Sequence, residues 1–280
     1  MSTTQKKLGR KVAIITGAGR GIGRGIATAF AREGARLVLV ARTAAQIEQA
    51  AQEARGAGAD AMAVPADITV PGDVRRIVDL AIERYSRVDV LVNNAGILGP
   101  LGPFAGNDME HWAETMRVNV IGLAACCSAV LPGMIRQGGG KIINLSGAGV
   151  TRPSQTLSAY GTSKAAVIRF TETLAVEVRR HNIWVNALGP GQIDTELLDP
   201  VIHAEDGAVD ADFSAHVRRT KSGHGASLDN AAALAVWLAS DESDGLTGRM
   251  ISATQDDWRA LGPRIPEIMS SDRHTLRFVT

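Results

Sequence analysis

Cysteine is nearly absent. The two present, Cys126 and Cys127, are adjacent in an apolar run, a spacing from which neither a disulfide framework nor a zinc site can be built. That usage suits a reducing cytoplasm, and no metal site is expected. An excess of either charge is also lacking: 30 basic residues face 29 acidic ones, and a net +1 gives no global field to draw nucleic acid or an anionic membrane. The stretch Met1 to Lys11 carries four basic residues, but the apolar run Val12 to Thr16 stops at a glycine cluster, so no secretion signal is expected. The longest uncharged stretch, Val118 to Ile135, is interrupted by Asn119, Gly122, Ser128, Pro132 and Gly133. A buried helix is expected there, with no membrane partner. Repeats and low-complexity tracts are missing as well.

What is present is an ordinary globular composition, 45% hydrophobic and 21% charged over 280 residues, long enough for one large core and read as one domain over residues 1–280. Short β-branched runs alternate with longer helical segments, the rhythm of a parallel sheet between two helical layers. Strands are predicted over Val12–Thr16, Arg36–Ala41, Ala61–Val64, Val88–Asn93, Lys141–Leu145, Trp184–Leu188 and Met250–Ser252. Helices are predicted over Ile22–Arg32, Ala44–Gly56, Asp73–Tyr85, Glu110–Arg136, Tyr160–Arg180 and Asp229–Ala239. Thr43 with Gln46 reads as a capping box, and Asp108 and Ser227 as N-caps. The pattern is that of a doubly wound, Rossmann-type α/β sheet of about seven strands with helices on both faces. Residues 190–225 form a long excursion suited to a substrate lid, in which the pattern places no helix.

The first strand runs into Thr16-Gly17-Ala18-Gly19-Arg20-Gly21-Ile22-Gly23, and a helix opens directly after it. Unpaired amides at that opening, with glycines that permit positive φ and close approach, make an anion site fitted to a pyrophosphate. The strict G-x-G-x-x-G spacing is not met; T-G-x-x-x-G-x-G stands instead, with Gly17, Gly19, Arg20, Gly21, Ile22 and Gly23 as the candidate contacts. A dinucleotide site selective for NAD places a carboxylate at the end of the second strand, to bind the ribose 2′-hydroxyl. This chain has Arg42 there, followed by Thr43, and a guanidinium suits a 2′-phosphate. NADP(H) is therefore expected, with NAD(H) as the alternative, and Arg20 is a candidate for a second charge on the phosphate.

Tyr160 and Lys164 lie four residues apart at the start of a predicted helix and share a face, in a chain with only six lysines. A phenol ionises near ~10, too high for proton transfer at neutral pH unless a neighbouring ammonium lowers it. So tuned, a tyrosine serves as general acid or base.

Thr16-Gly17-x-x-x-Gly21-x-Gly23, Asn93-Asn94-Ala95-Gly96, Asn119, Ser146, Tyr160-x-x-x-Lys164 and Pro190-Gly191 fall in order over Lys11 to Ala253. Together they resemble the short-chain dehydrogenases/reductases. The resemblance implies an oxidoreductase that moves a hydride between a nicotinamide and a carbonyl or secondary alcohol, acting on a small molecule. It implies that Tyr160 exchanges a proton with the substrate oxygen and that Ser146 polarises that oxygen. Lys164 would lower the Tyr160 pKa and hold the nicotinamide ribose, and Asn119 would support a relay water through a helix distortion. It further implies Asp67 and Ile68 near the adenine, Asn93, Ala95 and Gly96 beside the adenosine ribose and sheet, Ile193 and Thr195 against the carboxamide, and Pro190 and Gly191 among the cofactor contacts. Gly147, Arg152, Gln155 and Leu197 are the candidate substrate contacts by the same analogy.

The chain departs from that pattern after the seventh strand. Many relatives close with an acidic, glycine-rich turn, whereas here residues 257–280 form an extra tail with Trp258, Pro263, Pro266 and Phe278. The tail is expected to pack on a neighbouring copy or cover the pocket, and a homo-oligomer, tetramer or dimer, is expected. Two other readings share parts of the pattern. A sugar-nucleotide epimerase or dehydratase needs a larger C-terminal substrate region than this one, and a cofactor-sensing binding protein has no need of Ser146, Tyr160 and Lys164.

Overall fold

The computed structural model describes residues 6–147, 153–205 and 207–277. Its centre is a strand whose five residues, Val12–Thr16 (β1), are all buried, because helices cover both faces of the sheet. Ala13 and Ile15 point into one core layer and Val12 and Ile14 into the other. The remaining strands are Arg36–Ala41 (β2), Ala61–Pro65 (β3), Val90–Asn93 (β4), Gly140–Leu145 (β5), Ile183–Gly189 (β6) and Met250–Ser252 (β7). They pair in parallel in the order β3-β2-β1-β4-β5-β6-β7. The fourth strand starts two residues later than the pattern suggests, since the Val88 carbonyl accepts a hydrogen bond from the Gln137 side chain at 2.6 Å.

One layer holds Gly21–Arg32 (α1) and Ala44–Gly56 (α2), which bury Ile26, Phe30 and Ile47 against the sheet. The other holds Pro71–Tyr85 (α3), whose Val74, Ile77 and Ala81 recur at helical spacing on the covered side. The long helix expected over residues 110–136 is divided. Met109–Met116 (α4) and Leu123–Gln137 (α5) flank a π-helical turn at Arg117–Gly122. Leu123, Cys126, Cys127, Val130 and Met134 of α5 face the sheet, while Ile121 in the turn and Ile135 are exposed. Ser158–Val178 (α6) completes this layer.

The excursion after β6 does contain helices: Asp199–Ile202 (α7) and Ala211–Arg219 (α8), the latter running into an irregular turn at Thr220–His224. Lys221 braces it, bonding Asp194 at 2.8 Å and Asp199 at 2.6 Å. Leu228–Ala239 (α9) then returns to the first layer. Asp108 and Ser227 cap as expected, accepting from the Glu110 and Asn230 amides. The capping box at Thr43 does not form: its hydroxyl makes no cap bond, and Gln46 packs beside Gly19 instead.

The tail packs on its own chain. Trp258 is buried with its ring 6.2 Å from that of Trp237, and Ile265 and Ile268 of Ile265–Met269 (α10) enter the core. The amide of Met250 donates to the His274 carbonyl at 2.8 Å, so the tail covers the β7 edge. None of residues 257–277 borders the crevice described below, so the pocket-covering role does not hold for them; Phe278 lies outside the described residues.

Candidate active site

Strand order reverses between β1 and β4, and the loops beyond their C-terminal ends enclose a crevice at that switch point. Its floor is the glycine turn, held rigidly to β4. The Thr16 hydroxyl accepts from the amides of Asn94 and Ala95, both at 3.1 Å, and the Asn94 side chain donates to the Thr16 and Gly17 carbonyls, both at 3.0 Å. Gly17 has φ +63°, and a Cβ on it would sit 2.8 Å from the Ala95 Cα. A Cβ on Gly23 would collide with the Gly17 carbonyl. These two glycines are required by contacts within the protein itself, and Gly17, Gly19 and Gly21 border the crevice. Asn94 received no role of its own from sequence, although it stands in the quoted Asn93-Asn94-Ala95-Gly96 run.

At one end of the crevice stand Arg42, Thr43 and Gln46 beyond β2, and Asp67 and Ile68 beyond β3. Arg42 is exposed and has no ion-pair partner among the described residues. The Asp67 carboxylate is engaged by its own turn, accepting from the Thr69 amide at 2.9 Å and hydroxyl at 2.8 Å. Arg20 precedes α1, but its guanidinium pairs with Glu196, which answers the charge expected to serve a phosphate.

At the other end α6 presents Tyr160 and Lys164, both buried. Lys164 Nζ donates to the Leu145 carbonyl at 2.9 Å and lies 5.8 Å from the Tyr160 ring centre. Burial pushes the Tyr160 phenol up to about 12 and pulls the Lys164 ammonium down to about 8. The lowering of the tyrosine expected from Lys164 is thus absent in this geometry, because desolvation dominates and the ammonium is aimed at a main-chain carbonyl. Ser146 follows β5 with its Oγ buried and, among the described residues, without a partner. Beside it, a Cβ on Gly147 would collide with the Tyr160 hydroxyl, so that glycine makes room for the phenol. Asn119 sits in the π turn: its Oδ1 accepts from the Ile97 amide at 2.9 Å, and its Nδ2 donates to the Ile97 carbonyl at 2.9 Å and to Ser163 Oγ at 3.0 Å.

Of the described residues singled out from sequence for the site, all but Gly23, Asn93, Asn119 and Gln155 border this crevice. Asn93 is corrected from a cofactor contact to a bridge between strands. It is buried, with its amide spent on Asn144 Oδ1 at 2.9 Å and Cys127 Sγ at 3.2 Å. Gln155 is corrected likewise, being exposed and away from the crevice, and Arg152 lies outside the described residues. Leu98 borders it without having been foreseen, and Leu198 and Phe213 do so from the excursion expected as a lid, where no local motif marks which side chains face inward.

An extended dinucleotide fits this arrangement: close-approach glycines lie mid-crevice, a free guanidinium is at one end, and a Tyr–Lys pair with an unpartnered serine is at the other. Fold and site together define the class of nucleotide-dependent oxidoreductases built on a doubly wound sheet. Residues 11–206 match the short chain dehydrogenase family model, and the chain belongs to that family. It is 37% identical over 244 residues to the short chain dehydrogenase/reductase astE of Aspergillus oryzae, covering 86% of this chain and 92% of that protein. Among solved structures it resembles an NAD+-bound xylitol dehydrogenase, with TM-score 0.82 and 28% identity, covering 88% of this chain and 98% of the other. It also resembles a gluconate 5-dehydrogenase from Burkholderia cenocepacia in complex with NADP and tartrate, with TM-score 0.78 and 32% identity over 89% and 95% of the two chains.

Proposed function

We propose that this chain is an NADP(H)-dependent ketone reductase or alcohol dehydrogenase in which Tyr160 is the general acid/base. The observation that carries the reading is the meeting of Ser146 Oγ, buried and without a partner among the described residues, with Tyr160 and Lys164 in one crevice. The bound nicotinamide would supply or accept the hydride. Ser146 donates its hydroxyl proton in a hydrogen bond to the substrate oxygen, polarising the carbonyl. Tyr160 transfers its phenolic proton to that same oxygen in reduction and takes it back in oxidation. Lys164 would hold the nicotinamide ribose, and Asn119 would hold the Ile97 segment and the π turn where a relay water orders.

Arg42 supports NADP(H) over NAD(H), as an exposed cation where a 2′-phosphate would lie; the similar structures named above carry one cofactor each. The adjacent buried thiols of Cys126 and Cys127 suit the cytoplasm, and assembly into a homo-oligomer, tetramer or dimer, is part of the same reading. The test is Tyr160→Phe, expected to cost at least about a thousandfold in kcat while NADPH binding, followed by fluorescence, is retained. A variant that keeps turnover removes Tyr160 from the chemistry. For the cofactor, kcat/KM is expected to favour NADPH, and Arg42→Glu to lower it by roughly a hundredfold for NADPH while sparing NADH. A wild-type preference for NADH would overturn that choice.

A further inference from the structure

Past Tyr160 the crevice changes character. Leu98, Leu197, Leu198 and Phe213 wall it, and Leu98, Leu198 and Tyr160 belong to one buried apolar cluster under the lid, with Leu197 and Phe213 packed against it. The ionic groups that border the crevice are committed elsewhere. Arg42 and Asp67 stand at the far end, Arg20 pairs with Glu196, and Lys164 donates to Leu145. The side chains of Leu98, Leu197, Leu198 and Phe213 offer a substrate no hydrogen-bond partner, and Ser146 Oγ and the Tyr160 hydroxyl are needed for the substrate oxygen itself; Gln192, which also borders the crevice, holds a buried Nε2 without a partner among the described residues.

The wall is also held in place. Asp210 caps α8 by accepting from the Phe213 amide at 2.8 Å, and its own amide donates to Thr156 Oγ1 at 3.4 Å, two residues before α6 begins at Ser158. The lid is therefore tied to the segment that leads into the catalytic helix, with Phe213 facing the cavity.

We infer that the substrate is a ketone or secondary alcohol with an apolar body, alicyclic, aryl or long alkyl, directly beside the reacting carbon, and that Leu197 and Phe213 select it. The inference rests on the hydride-transfer reading above. A hydroxyl pressed against this wall loses its water and finds no partner, a cost of roughly tenfold or more in binding for each such group. A polyhydroxylated chain carries several, whereas an apolar body gains from each methylene buried.

The experiment compares kcat/KM with NADPH for 4-alkylcyclohexanones, aryl ketones and 2-decanone against the ketoses fructose and sorbose, at the nicotinamide absorbance band. The apolar ketones are expected to exceed the ketoses at least about a hundredfold. Phe213→Ser and, in a half-buried turn that tolerates polarity, Leu197→Asn are each expected to raise KM for the apolar ketones roughly tenfold. Their kcat and NADPH affinity should stay within a few-fold, and Phe213→Leu should recover most of the loss. Ketoses turned over as well as or better than the apolar ketones would overturn the inference, as would unchanged KM in both variants. Turnover of neither class by protein that binds NADPH normally would instead overturn the hydride-transfer reading, and this inference with it.

Discussion

Tyr160 and Lys164 are adjacent on one helical face, yet each is governed more by its burial than by the other. The Lys164 ammonium falls from 10.5 to about 8 on folding, because desolvation penalises the charge more than the Leu145 carbonyl repays it. Between pH 8 and 10.5 the unfolded chain holds a proton on Lys164 that the folded chain has released, so stability rises with pH across that window. Tyr160 has the opposite sign: its phenol moves from 10.0 to about 12, and stability falls as pH climbs between those values. Urea midpoints of wild type and Lys164→Met taken from pH 7 to 10 are expected to diverge above pH 8. There the wild type should gain up to about 1.4 kcal/mol per pH unit relative to the variant. Parallel curves would mean that Lys164 keeps its charge in the folded protein.

The elements that carry these residues are shaped by a few side chains. The π turn at Arg117–Gly122 inserts a break into what reads as one amphipathic helix, and Asn119 uses that break to satisfy both backbone groups of Ile97. Asn119→Ala leaves the Ile97 amide and carbonyl without these partners and Ser163 Oγ without a donor, at a cost of about 1–3 kcal/mol for each group left buried and unsatisfied. The variant is expected to lose stability of that order in denaturant unfolding, and an unchanged midpoint would show that water replaces the amide without loss. Farther along α6, Glu172 receives the Leu276 amide at 2.6 Å and pairs with Arg169 at 2.5 Å and Arg277 at 3.2 Å, so the helix that presents Tyr160 also anchors the tail.

For the whole molecule the tail is part of the core. Trp258, Leu261, Ile265 and Ile268 are buried, each worth up to about 1.5–3 kcal/mol. A chain ending at Gln255 is expected to melt roughly 10 °C or more below the full-length protein, and an equal melting temperature would sink this reading. Strand and helix positions were legible in the sequence because alternation and helical spacing are local. The glycine turn and the Tyr160–Lys164 pair were legible for the same reason, since each is a contiguous stretch whose geometry follows from one element or one junction. Asn93 shows the limit: it stands in the same short run as Ala95 and Gly96, and only the pairing of β4 with β5 turned its side chain inward to Asn144, while Ala95 and Gly96 border the crevice. Sequence alone thus determined the doubly wound sheet, the glycine turn and the placing of Tyr160 and Lys164 on one helical face. Tertiary structure alone decided the Arg20–Glu196 pairing, the apolar wall of Leu98, Leu198 and Phe213, and the closing of the sheet edge by the tail. Those depend on which distant segments meet, and that is set by the packing of the whole chain and not by the spacing of neighbours.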